Sequence, residues 1–269
     1  MLFETLAAHL GSALDRDVEL VFDASRSGPR PGERDALDTA GVDVAFMCAT
    51  SYVWLTGGPT AEVDLVGAAW APLDPRAAGR AVYFGDVLAA VDGPRSLQGL
   101  AGRRVAYNDD VSLSGYHSLR LALRSADVDL DRVELVRSGS HLRSLELLVS
   151  GAVDAAALDS NVWRRRRREA PGVMGELRAI AVLGPHPVQP VVARAALAPE
   201  LRDGMRAALL AAHADIRVAH ALAAAELARF VSVSDDDYSS LRAQLAGLGL
   251  DGSAVAHGTA GPQWRPGAA

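Results

Sequence analysis

At 269 residues, with 49% hydrophobic and 22% charged side chains, the chain has the composition of a globular protein that buries one large core or two smaller ones. Its formal charge of −6 argues against a nucleic-acid surface, and its single cysteine excludes a disulfide within the chain. No apolar run approaches the ~20 residues of a bilayer-spanning helix.

Phe3, Leu6, Leu10 and Leu14 fall on one face of a predicted N-terminal helix. That segment has no basic start, apolar stretch and small-residue cleavage site, so the chain as written shows no export signal. Residues 18–22 read as a strand, followed by a Gly/Pro loop and a helix near residues 33–39. Residues 42–48 read as a second strand, carrying Cys48 as a buried thiol and opening into Ala49-Thr50-Ser51-Tyr52. Two more strands, 63–70 and 81–91, flank a Pro/Gly-rich turn. Residues 104–107, 133–136 and 155–158 then form strands that run into 112-SLSGY-116, 138-SGSH-141 and 159-DS-160.

The helix after Ser112 begins near Ser114 and turns Tyr116, Leu119 and Leu123 inward. A second helix follows His141 and ends at Gly151. The run 164-RRRRR-168 sits near a helix C-terminus, where it favours the helix dipole and solvates the surface. Past residue 185, a return crossing with two prolines precedes helices at 199–213, 216–224 and 235–245. Residues 231–233 read as a loop, and the tail from 252 as frayed. Strands alternating with helices predict an α/β fold with parallel sheets.

In open α/β sheets, ligands sit beyond the carboxyl ends of the strands, where all of these polar loops lie. A helix entrance offers unpaired N–H donors and a partial positive charge, so an acidic protein can hold an anion there. Ser112 and Ser114 add hydroxyls, and Gly115 permits close approach to the backbone. Two serines acting only as helix caps explain the same residues. His141, at the next helix entrance, is either a donor to an anion or an ordinary surface residue. Asp159 suits a ligand amine or a protonated oxyanion and repels fully ionised sulfate.

The stretch from about residue 82 to 210 resembles the periplasmic phosphonate-binding proteins of ABC transporters, within the group that also holds phosphate, phosphite and sulfonate binders. The resemblance runs through Tyr83-Phe84, 100-LAGRRVAYND-109, 112-SLSGY-116, 138-SGSH-141 and 151-GAVDAAALDS-160, with 43-DVAF-46 and Tyr52 before it. It implies a type 2 periplasmic-binding-protein clamshell of two lobes, each a mostly parallel sheet flanked by helices. Lobe 1 takes residues 1–88, lobe 2 takes 89–185, and 186–269 return to lobe 1, where the C-terminal helices pack.

The resemblance also implies a ligand site of Ser112, Leu113, Ser114 and Gly115 with their backbone N–H groups, joined by His141, Tyr52, Tyr83 and Asp159. It implies no catalytic residues, metal or cofactor. The expected cargo is a small phosphorus oxyanion (phosphonate, phosphite or phosphate), passed to the membrane permease of an ABC transporter by a monomer in the periplasm or at the cell surface. Leu113 stands where the family often has threonine, which removes one hydroxyl. The family opens with a strand, whereas this chain starts inside the first helix; the expectation is a start assigned too far downstream, the alternative a homologue that has lost its first strand and export signal. That leaves the cytoplasm open, and with it a cytosolic enzyme on the same fold, similar to those of menaquinone or thiamine-precursor pathways.

Overall fold

The computed structural model describes residues 1–23, 27–30, 37, 41–57, 61 and 63–247. Helix α1 (Leu2–Leu14) turns Leu6 and Leu10 inward, as their i, i+4 spacing requires. It is followed by β1 (Val44–Phe46), α2 (Ala49–Thr56), β2 (Val63–Leu65) and β3 (Ala68–Pro72). The long β4 (Val82–Ala90) leads to β5 (Arg104–Tyr107) and a turn at Leu113–His117 that runs into α3 (Ser118–Ser125). Next come β6 (Glu134–Arg137), α4 (His141–Val149), β7 (Ala155–Asp159), α5 (Ser160–Glu169) and the short α6 (Pro171–Gly175). Strands β8 (Leu177–Pro187) and β9 (Val191–Arg194) precede α7 (Pro199–Ala211), α8 (Ile216–Ala224), β10 (Leu227–Ser232) and α9 (Ser239–Gly247).

A five-stranded sheet, ordered β6-β5-β7-β4-β8, sends alternate side chains to opposite faces. Val87, Val105, Ala155 and Ala157 pack with Leu119 and Leu123 of α3 on one face. Leu88, Ala106, Ala156 and Leu158 pack with Leu145 and Leu148 of α4 and Trp163 of α5 on the other. A separate core gathers Leu6, Tyr52, Trp70, Val192, Leu209, Leu222, Phe230 and Leu241, so α1 and the C-terminal helices close over the two smaller sheets. Each of the valine, leucine and phenylalanine side chains among them contributes roughly 1.5–3 kcal/mol on burial. The result is two lobes with α7 to α9 on the first.

The sheets are mixed rather than mostly parallel. Only the β6–β5 and β5–β7 pairs are parallel; β4 is antiparallel to β7 and β8, β9 to β1 and β2, and β10 to β3. The reason is topological. Strands β4 and β8 link the two cores in opposite directions, and β9 re-enters the first lobe from the far end.

Residues 18–22, predicted as a strand, make no ladder, and Val18, Leu20, Val21 and Phe22 are 44%, 47%, 58% and 77% exposed. A strand is held by its partners, and among the described residues this segment has none. Between it and β1 lies an apolar groove of about 340 Å³, lined by Phe3, Leu20, Val21, Phe22 and Val44 among others. The predicted strand at 63–70 is two strands, because Gly67 takes a left-handed φ of +82° between them. Strand β8 was not predicted, and β10 covers residues read as a loop. The helix near 33–39 and the tail from 252 lie outside the described residues, apart from the buried helical Leu37. No single helix among the described residues is long and apolar enough to cross a membrane.

Three histidines sit inside these cores or their seams. His117 is ringed by Trp54 and Tyr116, His186 bonds Ser118 Oγ at 2.8 Å, and His141 opens α4. Burial pushes all three down from 6.5 to about 4. Asp159 is shifted the opposite way by burial, from 3.8 up to about 6. A depressed histidine contributes stability that is complete above pH 6.5 and lost as pH falls toward 4. Asp159 has the reverse sign, losing its contribution as pH rises from 3.8 through 6, but it is one group against three. Stability is therefore expected to fall by a few kcal/mol, as an order of magnitude, between pH 7 and pH 5. Urea unfolding at the two pH values measures this; an unchanged or higher midpoint at pH 5 contradicts it.

Candidate ligand-binding site

The chain between β5 and α3 is shaped by Asp109. Its Oδ1 accepts the N–H groups of Val111 (2.8 Å) and Ser112 (3.0 Å), and its Oδ2 accepts Ser27 Oγ (2.5 Å) and Asn108 Nδ2 (3.0 Å). Ser112 then caps the helix entrance, its Oγ accepting the Gly115 N–H at 3.1 Å. The first turn is wide, of the π type, with the Tyr116 and His117 amides both reaching the Ser112 carbonyl. Gly115 is required by proximity: a Cβ there would lie 2.0 Å from Asn108 Oδ1 and 3.2 Å from the His141 ring. The first lobe meets this turn directly, as Thr50 Oγ1 donates to the Val111 carbonyl and the Leu113 N–H points at Cys48 Sγ, 3.4 Å away.

Beside the turn is a cavity of about 260 Å³. Tyr83, Ser112, Ser114, His141 and Asp159, five of the residues predicted from sequence, line it together. Asn108, Gln189 and Trp70 join them, with Phe3 and Phe46 as an aromatic wall. Phe46 stacks on Trp70 with centroids 5.3 Å apart. No arginine or lysine is in the described lining.

The electrostatics follow from burial. His141 stays neutral because desolvation outweighs the charge of Asp109, and its Nδ1 has no hydrogen-bond partner. Asn108 Oδ1 and Trp70 Nε1 are buried without partners as well. Desolvation also raises Asp159, against the Asn161 N–H at 2.7 Å and Gln189 Nε2 at 3.5 Å. Tyr83 is raised well above its ordinary range by burial, and its phenol oxygen faces the N–H and hydroxyl of Ser114. The backbone donors of the turn are thus largely engaged within the protein. Among the lining residues, the serine and tyrosine hydroxyls and the Trp70 N–H are groups able to donate, and Asp159, Asn108 Oδ1 and His141 Nδ1 are groups able to accept.

Three predicted residues do not contribute side chains here. Tyr52 packs edge-on against Tyr238 and donates its hydroxyl to Asp235 at 2.5 Å, because its helix α2 turns that face into the first-lobe core. Leu113 is fully buried in the same core, and Gly115 acts through its backbone. Sequence reasoning missed Trp70, Asn108, Gln189 and Phe3. Gln189, a polar residue between two prolines in a return strand, and Asn108, next to the saturated Asp109, carried a usable signal. Phe3 and Trp70 carried none, since each looks like core. A serine–histidine pair exists at Ser118 and His186, but it lies in the interior, away from the cavity lining. No cluster of three or more metal-ligating side chains occurs among the described residues.

No curated protein matches the chain by sequence. Solved structures do match in fold. A binding protein component of an ABC phosphonate transporter from Pseudomonas aeruginosa aligns with TM-score 0.74 at 18% identity, over 97% of this chain and 85% of that one. PhnD1 from Prochlorococcus marinus, solved with methylphosphonate, aligns with TM-score 0.75 at 17% identity, over 92% of each chain. The alkanesulfonate-binding protein SsuA from Xanthomonas axonopodis pv. citri, bound to MOPS, gives 0.63 at 14%, over 92% of this chain and 89% of that one. The sequence itself matches one family from residue 2 to residue 238, and the chain belongs to that family, the periplasmic substrate-binding proteins of phosphonate ABC transporters.

Proposed function

We propose that the chain captures a small phosphorus oxyanion (phosphonate, phosphite or phosphate) in this cavity and delivers it to the membrane permease of an ABC transporter, from the periplasm or the cell surface. The lobes divide near residues 88 and 185, and residues 186–269 return to lobe 1. One observation carries the reading: Trp70, Asn108 and His141, each with a buried polar atom that has no partner, line the same cavity as the hydroxyl-bearing Ser112, Ser114 and Tyr83. A buried polar atom left unpaired costs roughly 1–3 kcal/mol, so a ligand that pairs with it recovers that energy on binding.

The roles follow from the chemistry of the donors. The serine hydroxyls and the Trp70 N–H donate to the anion's oxygens. His141, neutral near pH 7, accepts from a P–OH group or takes up a proton as a dianion arrives, because an adjacent negative charge raises its pKa. Asp159 accepts a P–OH or an ammonium on the cargo and so disfavours a fully ionised anion. Its position on the lining beside Gln189 supports this role. Capture without chemistry is supported by the family, whose members are substrate-binding proteins of transporters.

Ser114→Ala and His141→Ala are each expected to weaken methylphosphonate binding by about tenfold, or about 1.4 kcal/mol, in titration calorimetry. Unchanged affinity in both folded variants removes the site. Tyr52→Phe is expected to lower stability by about 1 kcal/mol through the lost bond to Asp235 while leaving affinity intact. A weakened affinity with stability unchanged would return Tyr52 to the site.

A further inference from the structure

The five arginines at 164–168 divide by helix face. Arg165 and Arg166 pair with the exposed Glu169, and Arg167 lies over Trp163, 5.6 Å from its ring centre. Those three serve the surface role read from the sequence. Arg164 and Arg168, one turn apart, instead converge on Glu226.

Glu226 is 4% exposed and belongs to the other lobe. It forms the turn between α8 and β10 with a φ of +62°, its carbonyl accepting the Leu73 N–H at 2.8 Å and its own N–H donating to the Ala223 carbonyl at 3.1 Å. That backbone is fixed to the core containing Leu222 and Leu227. Its carboxylate takes an ion pair from Arg164 Nε at 3.4 Å and a hydrogen bond from Arg168, whose Nη2 also reaches the Ala224 carbonyl. Nearby, Arg76 bridges the buried Asp74 and Asp86 along the crossing from β3 to β4. The seam between the lobes therefore carries buried carboxylates matched to guanidinium groups.

Helix α5 joins this seam to the ligand cavity. At its N-terminus Asp159 caps the helix while lining the cavity, and Ser160 Oγ accepts the Phe84 N–H at 3.3 Å. Ten residues later the same helix ends, about 15 Å away at 1.5 Å per residue. Fixing one end of a rigid rod restrains the other.

We infer that Glu226 is a positioning residue: by clamping Arg164 and Arg168 it sets the tilt of α5 and so the placement of Asp159 against the cargo. The ligand part of this inference rests on the proposed oxyanion binding; the positioning part does not. Removing the carboxylate is the informative change, since Arg164 and Arg168 are partly exposed and can turn to water, whereas removing an arginine strands a buried charge.

The test is Glu226→Gln in the full chain, read by amide hydrogen exchange at Asn161 and Val162 and by methylphosphonate titration with dissociation kinetics. Exchange in the first turn of α5 is expected to quicken and affinity to drop, each about fivefold or more, with the affinity loss in the off-rate. Arg165→Gln, whose one partner among the described residues is Glu169, is expected to change neither. Should Glu226→Gln fail to fold, Arg168→Lys, which keeps the charge but loses the fork, is expected to give the same two changes in smaller measure. Unaltered exchange at Asn161 and Val162 in a folded variant overturns the inference. Quickened exchange in a protein whose wild type ignores methylphosphonate, phosphite and phosphate alike upholds the clamp and overturns the oxyanion reading instead.

Discussion

The carboxylate of Asp109 holds the serine turn in shape, and the rest of the site depends on it. Four donors from four residues converge on its two oxygens, so a buried negative group is solvated by the protein's own N–H and O–H bonds. Two of those donors fix Val111 and Ser112, which puts the Ser112 hydroxyl under the helix entrance and the Val111 carbonyl against Thr50. A third comes from Ser27 of the first lobe, so the same carboxylate ties the lobes at the cavity rim. Remove it, and turn geometry, helix cap and lobe contact relax together.

A consequence is a site whose donors are neutral dipoles. An acidic chain with no arginine or lysine in the described lining still presents hydroxyls and an indole N–H at fixed positions in a low-dielectric cleft. Preorganised dipoles of this kind need no counter-charge brought from water, and their alignment is settled during folding. Of the ionisable members, burial keeps His141 neutral near pH 7, while Asp159, raised to about 6, is still largely ionised there and sets a negative charge in the described wall against the cargo.

Much of this was legible in the sequence wherever the signal is local. The strand at 104–107 and the helix boundary at 216–224 coincide with β5 and α8, and the Ser112, His141 and Asp159 loops all stand at strand ends as expected. Tertiary facts were hidden. Phe3 and Trp70 carry the apolar periodicity of core residues, and only the meeting of α1 with β3 makes them a wall. Tyr52 lies on a short helix whose polar and apolar residues alike are mostly buried, and periodicity cannot say which side of such a helix faces a cleft. Residues 18–22 have strand chemistry, yet a strand exists only when another segment accepts its hydrogen bonds. Glu226 was invisible because its partners lie roughly 60 positions away.

Asp159 closes β7, caps α5 and forms part of the cavity wall with one side chain. Cargo preference and fold integrity are therefore written in the same atoms, and this narrows the routes by which the specificity of the chain can drift. Asparagine, serine or threonine at this position keeps a helix cap while altering the charge offered to the cargo. Alanine or a larger apolar residue changes the cargo contact and unravels the helix start at once. Lineages descending from such a chain would explore new cargoes along the small set of residues that can begin a helix, leaving the rest of chemical space behind a folding barrier.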